Sequence, residues 1–360
     1  PFAMEPVCQR LGARGGNTTP DALLHFARFH AAWVRPPEEW IPVAKVSPSE
    51  QVGALAVHLF ARWSLPQFLQ IAWLSGFDEE SETNRQWFVQ LGGGGRLESL
   101  RFPLPMTHRA AHFFLQAPPH FSITSAQRYG QIRALGGTES LAQTLSETFL
   151  SETQPDEPFW LEATRFFLQH AALPLYQVGP ICDFIRARRF GSDSPEPNFS
   201  LRGRTPETLL RRMAEWHEML TRLPAKSRSR WETSGIEGWD EICNDPLGNG
   251  ICRWQVVELT DSLALLEEGR QQRHCVRSYQ DACVKGATAI FSLSVSLSSD
   301  KTSRRLLTIE VNRQRRAIVQ VRGKCNQSVG AMRGNRRILL ARDVLREWAR
   351  NRRLSIACGV

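Results

Sequence analysis

The sequence has no uninterrupted apolar run of the roughly 20 residues that crossing a bilayer requires. Its most apolar stretch, Gly53–Phe60, already contains a histidine. That absence excludes a bundle of membrane-spanning helices. The opening residues, PFAMEPVCQRLGARGG, carry no continuous apolar segment of the kind a secretory leader needs. A cytoplasmic protein is therefore expected. Cysteine is scarce, with eight in 360 residues and no C-x-x-C pair. Neither a disulfide framework nor a zinc finger fits that usage, and the thiols are expected to be reduced and mostly buried. The glycine run at 92–95 lacks the Gly-Lys-Ser/Thr that a phosphate-cradling P-loop needs. Acidic residues are nearly missing from one region: residues 301–353 hold three (Glu310, Asp343, Glu347) against sixteen Lys and Arg, a net of +13. The rest of the chain has 29 basic and 33 acidic residues, a net of −4, so the whole excess of +9 lies at the C-terminal end. A polarity of this size is the footprint of a polyanion-binding surface. So few carboxylates in that region argue against a nuclease that gathers two metal ions.

What is present, 42% hydrophobic and 22% charged side chains over 360 residues, is enough for two domains with their own cores. Residues 1–20, rich in Gly, Pro and Thr, read as a disordered tail. Residues 21–223 show apolar positions at helical spacing broken by Pro and Gly, as in Pro48–Trp63, Pro158–Ala172 and Gly179–Arg189. The expectation is an irregular all-α array without a named repeat. Its aromatics, among them Trp63, Trp73, Phe114, Trp160 and Phe167, are expected in the core. Thr205 and Pro206 suit the cap and first turn of a helix carrying Leu209, Met213 and Trp216 on one stripe. Arg202 and Arg204, just before it, either hold a phosphate at that helix start or pair with acids elsewhere. Residues 224–250 mix Pro, Gly, Ser and charge and read as a linker.

Residues 251–354 read as a basic α+β domain. Trp254–Leu259 is a leading strand. Asp261 caps a helix that Gly269 ends, and a second helix runs from Gln271 to Lys285, stopped by Gly286. Three alternating runs follow, Ala289–Leu297, Leu306–Val311 and Ala317–Arg322, and then a helix over Ile338–Arg350. The fold class is thus α+β: a helical array followed by a helix, a three-stranded antiparallel sheet and a helix. Alternation sends Leu307, Ile309, Val311, Ala317, Val319 and Val321 to the core. It sends Ser292, Ser294, Thr308, Glu310, Gln320 and Arg322 to the other face. Pairing Asn312 with Arg316 would set Thr308 opposite Gln320, with Glu310 as its diagonal neighbour. Antiparallel sheets commonly wet one face. Glu310 and Arg322 inside an apolar hairpin nevertheless make this face a candidate site.

Two functional readings follow. In the first, the region binds DNA or RNA through its phosphates. The contacts would come from Arg313, Arg315 and Arg316 in the hairpin loop, and from Lys324 and Asn326 after Gly323. Arg333, Arg336 and Arg337 before the last helix, and Arg346 and Arg350 on it, would complete the set. In the alternative, the protein is an enzyme acting on nucleic acid or nucleotide, with His274, Glu310, Gln320 and Arg322 at the site. A hydrolase triad of His274, Ser278 and Asp281 on one helix is set aside, because one straight helix does not supply nucleophile, base, orienter and oxyanion hole together. Zinc held by His274, Cys275 and Cys325 would use adjacent ligands and lack a fourth. No cofactor or metal is expected.

The strings Glu268-Gly269, His274-Cys275-Val276-Arg277-Ser278-Tyr279 and Ile290-Phe291-Ser292-Leu293 are similar to the PcfJ-like domain family. So are Leu307-Thr308-Ile309-Glu310-Val311 and Val319-Gln320-Val321-Arg322-Gly323-Lys324-Cys325-Asn326. The element Leu201-Arg202-Gly203-Arg204-Thr205 and the Trp216-His217 helix resemble the portion upstream of that domain, so the likeness runs over residues 199–350. It implies a setting in mobile elements and conjugative plasmids, where a partner protein of the element is expected beside the nucleic acid that the charge calls for. It implies no particular reaction.

Overall fold

Apolar residues at helical spacing, cut short by Pro and Gly, give the N-terminal region its short helices. The computed structural model describes residues 18–44, 46, 48–74, 79–190, 196–222, 229–274, 276–298, 303–327, 329, 332 and 334–356. The chain divides into two compact units, residues 1–135 and 136–360. The first holds α1 (Thr18–Arg28), α2 (Pro48–Phe60), α3 (Glu79–Gly92), α4 (His108–Phe114) and α5 (Ile123–Ala134). Thr107 and Ser122 cap the last two through their hydroxyls. Its centre is aromatic: Trp73 stacks on Phe60 at 4.6 Å and meets Phe26 and Phe88 at 4.8 and 5.6 Å. Trp63, expected in this core, is 67% exposed, because α2 stops at Phe60 and Trp63 falls outside its periodicity. Among the described residues, no helix is long and apolar enough to cross a membrane.

The second unit opens with α6 (Glu139–Ser146), α7 (Glu157–Gln169), α8 (Leu175–Phe190) and α9 (Pro206–Arg222). Thr205 caps α9 through the Thr208 N–H at 3.3 Å. Arg202 and Arg204 resolve toward pairing, with Glu162 at 3.0 Å and Glu196 at 3.8 Å. A sheet follows, in the order β1 (Trp239–Asn244), β2 (Ile251–Glu258), β3 (Thr288–Leu297), β4 (Arg304–Asn312), β5 (Ala317–Arg322), β6 (Ser355–Ile356). Neighbours are antiparallel except β5 and β6, which run parallel. The α+β class holds, but the sheet has six strands where three were expected. The leading strand joins it as β2. β1 lies within the stretch read as a linker, because an edge strand with most of its side chains exposed carries no apolar alternation. β6 spans only two residues, too few to show a period.

One face of the sheet is dry. Phe291, Leu293, Leu307, Ile309, Ile318 and Val321 pack against Ile338, Leu345 and Trp348 of α12 (Arg336–Asn351), with Phe291 and Trp348 rings 4.9 Å apart. Asn335 caps α12. Arg337 forks onto the buried Asp245 at 2.7 and 2.8 Å, tying the start of that helix to the turn after β1.

The other face is covered by α10 (Ser262–Gln272), a 3-10 turn at Val276–Tyr279 and α11 (Gln280–Val284). Asp261 caps α10 as expected, accepting from Leu263 and Ala264. Gly269 does not end the helix. α10 continues to Gln272, and Arg273, left-handed at φ 54°, reverses the chain so that the His274 N–H meets the Gly269 carbonyl at 3.1 Å. A Cβ on Gly269 would lie 2.9 Å from the His274 carbonyl oxygen, which is why glycine stands there. The continuous helix expected from Gln271 to Lys285 is therefore broken at His274, and the shared stripe of His274, Ser278 and Asp281 does not exist. Cys275 lies outside the described residues.

Two bulges correct the register. Between β4 and β5, Asn312 pairs with Ala317 and Val311 with Ile318, but Glu310 pairs with Gln320 and Thr308 with Arg322. Val319 is the extra residue, so Ile318 rather than Val319 enters the core with Val321. Between β3 and β4 the shift falls after Leu293, and Leu306 and Leu307 are both buried.

Because Arg337 and Asp245 are both shielded, removing one leaves the other charge uncompensated. Arg337→Ala should destabilise the fold by about 3 kcal/mol. Urea unfolding checks this, and Asp245→Asn should produce a loss of the same order.

Candidate functional site

β4 and β5 turn Thr308, Glu310, Gln320 and Arg322 toward the covering layer, and bulging at Val319 keeps Gln320 opposite Glu310. The layer contributes His274 from the chain reversal after α10 and Tyr279 from the 3-10 turn. α8 contributes Asp183, and the turn Lys324–Asn326 contributes Asn326. Together these residues line a small, half-open recess. The four residues singled out as catalytic, His274, Glu310, Gln320 and Arg322, all reach it. Asn326, expected as a phosphate contact beside Lys324, lines it too.

A buried polar chain fixes His274. Glu268 on α10 has no solvent exposure and accepts from Arg305 at 2.7 Å and from the Thr308 hydroxyl. Thr308 lies 2.8 Å from the His274 Nε2. A hydroxyl has one proton to give. With that proton on the Glu268 side, His274 donates to Thr308 through Nε2. Burial pulls the His274 pKa down to about 4, with the Arg322 charge acting the same way, so the ring is neutral near pH 7. Burial pushes the Glu268 carboxyl above its usual range, and Thr308 and Arg305 oppose it.

A second group surrounds Arg186 of α8. Its guanidinium lies between two rings, 4.3 Å from the Phe149 centroid and 4.8 Å from that of Tyr279. Burial works against its charge, but Tyr279, Glu310 and Asp183 outweigh it and hold its pKa above the ordinary range. Glu310 accepts from the Thr288 hydroxyl at 3.2 Å, and burial raises its pKa. Burial also raises that of Asp183, against the pull of Arg186 and Arg322. Tyr279 donates to the Gln320 Oε1 at 3.0 Å, which leaves the Gln320 amide with its NH₂ to offer. Arg322 donates to the Glu147 carbonyl, while its Nε is buried with no partner among the described residues. Burial lifts the thiol of Cys283 to about 12 and that of Cys182 well above its normal value, which leaves both inert. Among the described residues, no three His, Cys, Asp or Glu gather as metal ligands.

The basic residues are dispersed by comparison. Arg315 pairs with Glu152 at 3.1 Å, Arg316 donates to the Arg352 carbonyl at 2.7 Å, and Arg337 is held by Asp245. Arg313 reaches the Thr233 carbonyl at 3.4 Å, and Arg346 lies 4.0 Å from Asp343. Lys324, Arg336 and Arg350 are exposed, and Arg333 lies outside the described residues. Sequence reasoning missed Asp183, Arg186, Glu268 and Tyr279 as site residues. Two of them left a trace: Asp183 interrupts the apolar run Cys182–Ile185, and Glu268 shares the buried stripe of α10 with Leu265 and Gln272.

The depressed His274 pKa gives a pH signature. Between pH 6.5 and about 4 the unfolded imidazole takes up a proton that the folded one refuses. The His274 contribution to stability is therefore full above pH 6.5 and falls as the pH drops toward 4. In urea unfolding from pH 7 to 4, His274→Gln should lack this loss. The difference between wild type and variant should shrink steadily over that range.

The comparisons with known proteins give one match. Residues 217–333 match the family model described as PcfJ-like protein. Neither the curated proteins nor the solved structures contain a match to the chain. The matched span holds α10, the chain reversal at His274 and strands β1 to β5, and so all of the recess except its α8 wall. Residues 217–333 are therefore a region similar to the PcfJ-like protein family.

Proposed function

We propose that the protein is a nucleic-acid-binding accessory protein of mobile elements, holding phosphates on the basic surface of its C-terminal region. The observation that carries this reading is the net charge of +13 over residues 301–353 in a chain whose remainder is net negative. Lys324, Arg336 and Arg350 are exposed there. Such cations contact phosphates and carry little sequence information, so DNA and RNA are both partners of this chemistry. Similarity to the PcfJ-like family supports the mobile-element setting, in which a partner protein of the element is a further ligand. The helical N-terminal region then serves as a docking platform, and the setting is cytoplasmic.

A second reading, an enzyme acting on nucleic acid, is favoured by the convergence of His274, Glu310, Gln320 and Arg322 on one recess. Its test is the conversion of a labelled oligonucleotide, abolished in Glu310→Gln with binding retained.

For the first reading, fluorescence anisotropy with labelled single- and double-stranded oligonucleotides should show binding that weakens steeply with salt. Replacing Lys324, Arg336 and Arg350 together by Ala should lower the slope of log K against log salt by about 3, or about 1 for each lost phosphate contact. An absence of binding at about 100 mM salt would sink the reading, since phosphate-dominated affinity persists at that ionic strength.

A further inference from the structure

Polar groups buried in a protein are almost always hydrogen-bonded, and an exception beside an opening needs an explanation. The recess has one, the Nε of Arg322, next to polar side chains with bonding capacity left over. Arg322 is 7% exposed and its Nε has no partner among the described residues. Gln320 uses its oxygen for Tyr279, and its NH₂ makes no hydrogen bond among the described residues. Asp183 is also 7% exposed and, among the described residues, makes neither hydrogen bond nor ion pair. Asn326, left-handed at φ 59°, brings a further side-chain amide to the same lining. The close approach that this needs is provided by Gly179 on α8, where a Cβ would meet the Asn326 Nδ2 at 2.9 Å.

The unpaired groups are of two kinds. Arg322 and Gln320 offer N–H donors, and Asn326 adds an amide. This is a set suited to an oxyanion with several acceptor oxygens, one contact being charge-assisted. Asp183 offers acceptors and calls for a hydroxyl or N–H on the same ligand. A free carboxylate ligand would satisfy the first kind and not the second. A phosphate joined to a sugar or base satisfies both.

We propose that this recess is a binding site for a single nucleotide unit, with Arg322, Gln320 and Asn326 on its phosphate and Asp183 accepting from its ribose hydroxyl or base N–H. The proposal rests on the reading of the recess as a site and names the ligand class for it; it does not depend on the basic surface or on turnover.

The test is calorimetric titration of the full chain with AMP, GMP, CMP, UMP and, separately, inorganic phosphate. At least one nucleotide should bind with 1:1 stoichiometry and more tightly than phosphate. Gln320→Glu keeps the acceptor for Tyr279 but replaces the amide donor by a carboxylate, and it should weaken that nucleotide at least tenfold. Asp183→Asn should do the same, with each variant's fold checked by circular dichroism and melting temperature. The Lys324, Arg336 and Arg350 triple substitution should leave nucleotide affinity unchanged, which separates failure of this site from failure of the basic surface. The proposal is overturned if no nucleotide binds, if phosphate binds as well as every nucleotide, or if a folded Gln320→Glu binds like the wild type.

Discussion

A carboxylate removed from water must be met by donors, and Glu268 imposes that requirement on the second unit. Its two oxygens take Arg305 and Thr308, both from β4, so α10 is pinned to one register along the sheet. Thr308 in turn fixes His274, and the reversal that carries His274 delivers Tyr279 over Gln320. The two faces of the sheet are thus closed by different physics. α12 seals its side by burying Trp348, Leu345 and Ile338, and that contact is dry. The opposite side is closed partly by directional polar bonds and partly by a small apolar cluster around Leu265, Val276 and Ile290. Directional bonds fix position without filling space, and the recess is what they leave.

Much of this was legible in the sequence because strands with one dry face must alternate. The core positions Leu307, Ile309, Val311 and Val321 and the polar face with Thr308, Glu310, Gln320 and Arg322 follow from that period alone. Failures arose where geometry departs from a period. Val319 sits in a bulge, which alternation cannot show, and counting back from the hairpin put Gln320 opposite the wrong residue. His274 sits at a chain reversal within a stretch of good helix formers, where the signal was a glycine inside the helix rather than after it. β1 and β6 are edge elements, one mostly exposed and one only two residues long, and neither buries enough to leave a pattern. Asp183 and Arg186 come from a helix outside the family match, and only the folded chain brings Asp183 to the lining and Arg186 over the Tyr279 ring.

Net charge in a segment counts cations but does not say where they point. Of the arginines that make residues 301–353 basic, Arg322 lines the recess, Arg305 pairs with the buried Glu268, and Arg337 fastens a helix start. Arg315 and Arg316 are engaged within the same unit. The basic surface is thus narrower than composition suggests, and the same residue type serves three purposes within fifty positions.

The pairing of β6 with β5 bears on how the recess breathes. Among the described residues, β6 pairs only with Ala317 and Ile318, the half of β5 nearest the hairpin. Beyond it, Gln320 and Arg322 are laddered, among the described residues, to β4 alone. A strand held on one side opens at lower free energy than one held on both, so amide exchange in this part of β5 should outpace that in β3 and β4. The wall that presents the unpaired donors is then also the part of the sheet most able to yield, and a ligand bridging Arg322 and Asp183 would stiffen it from within.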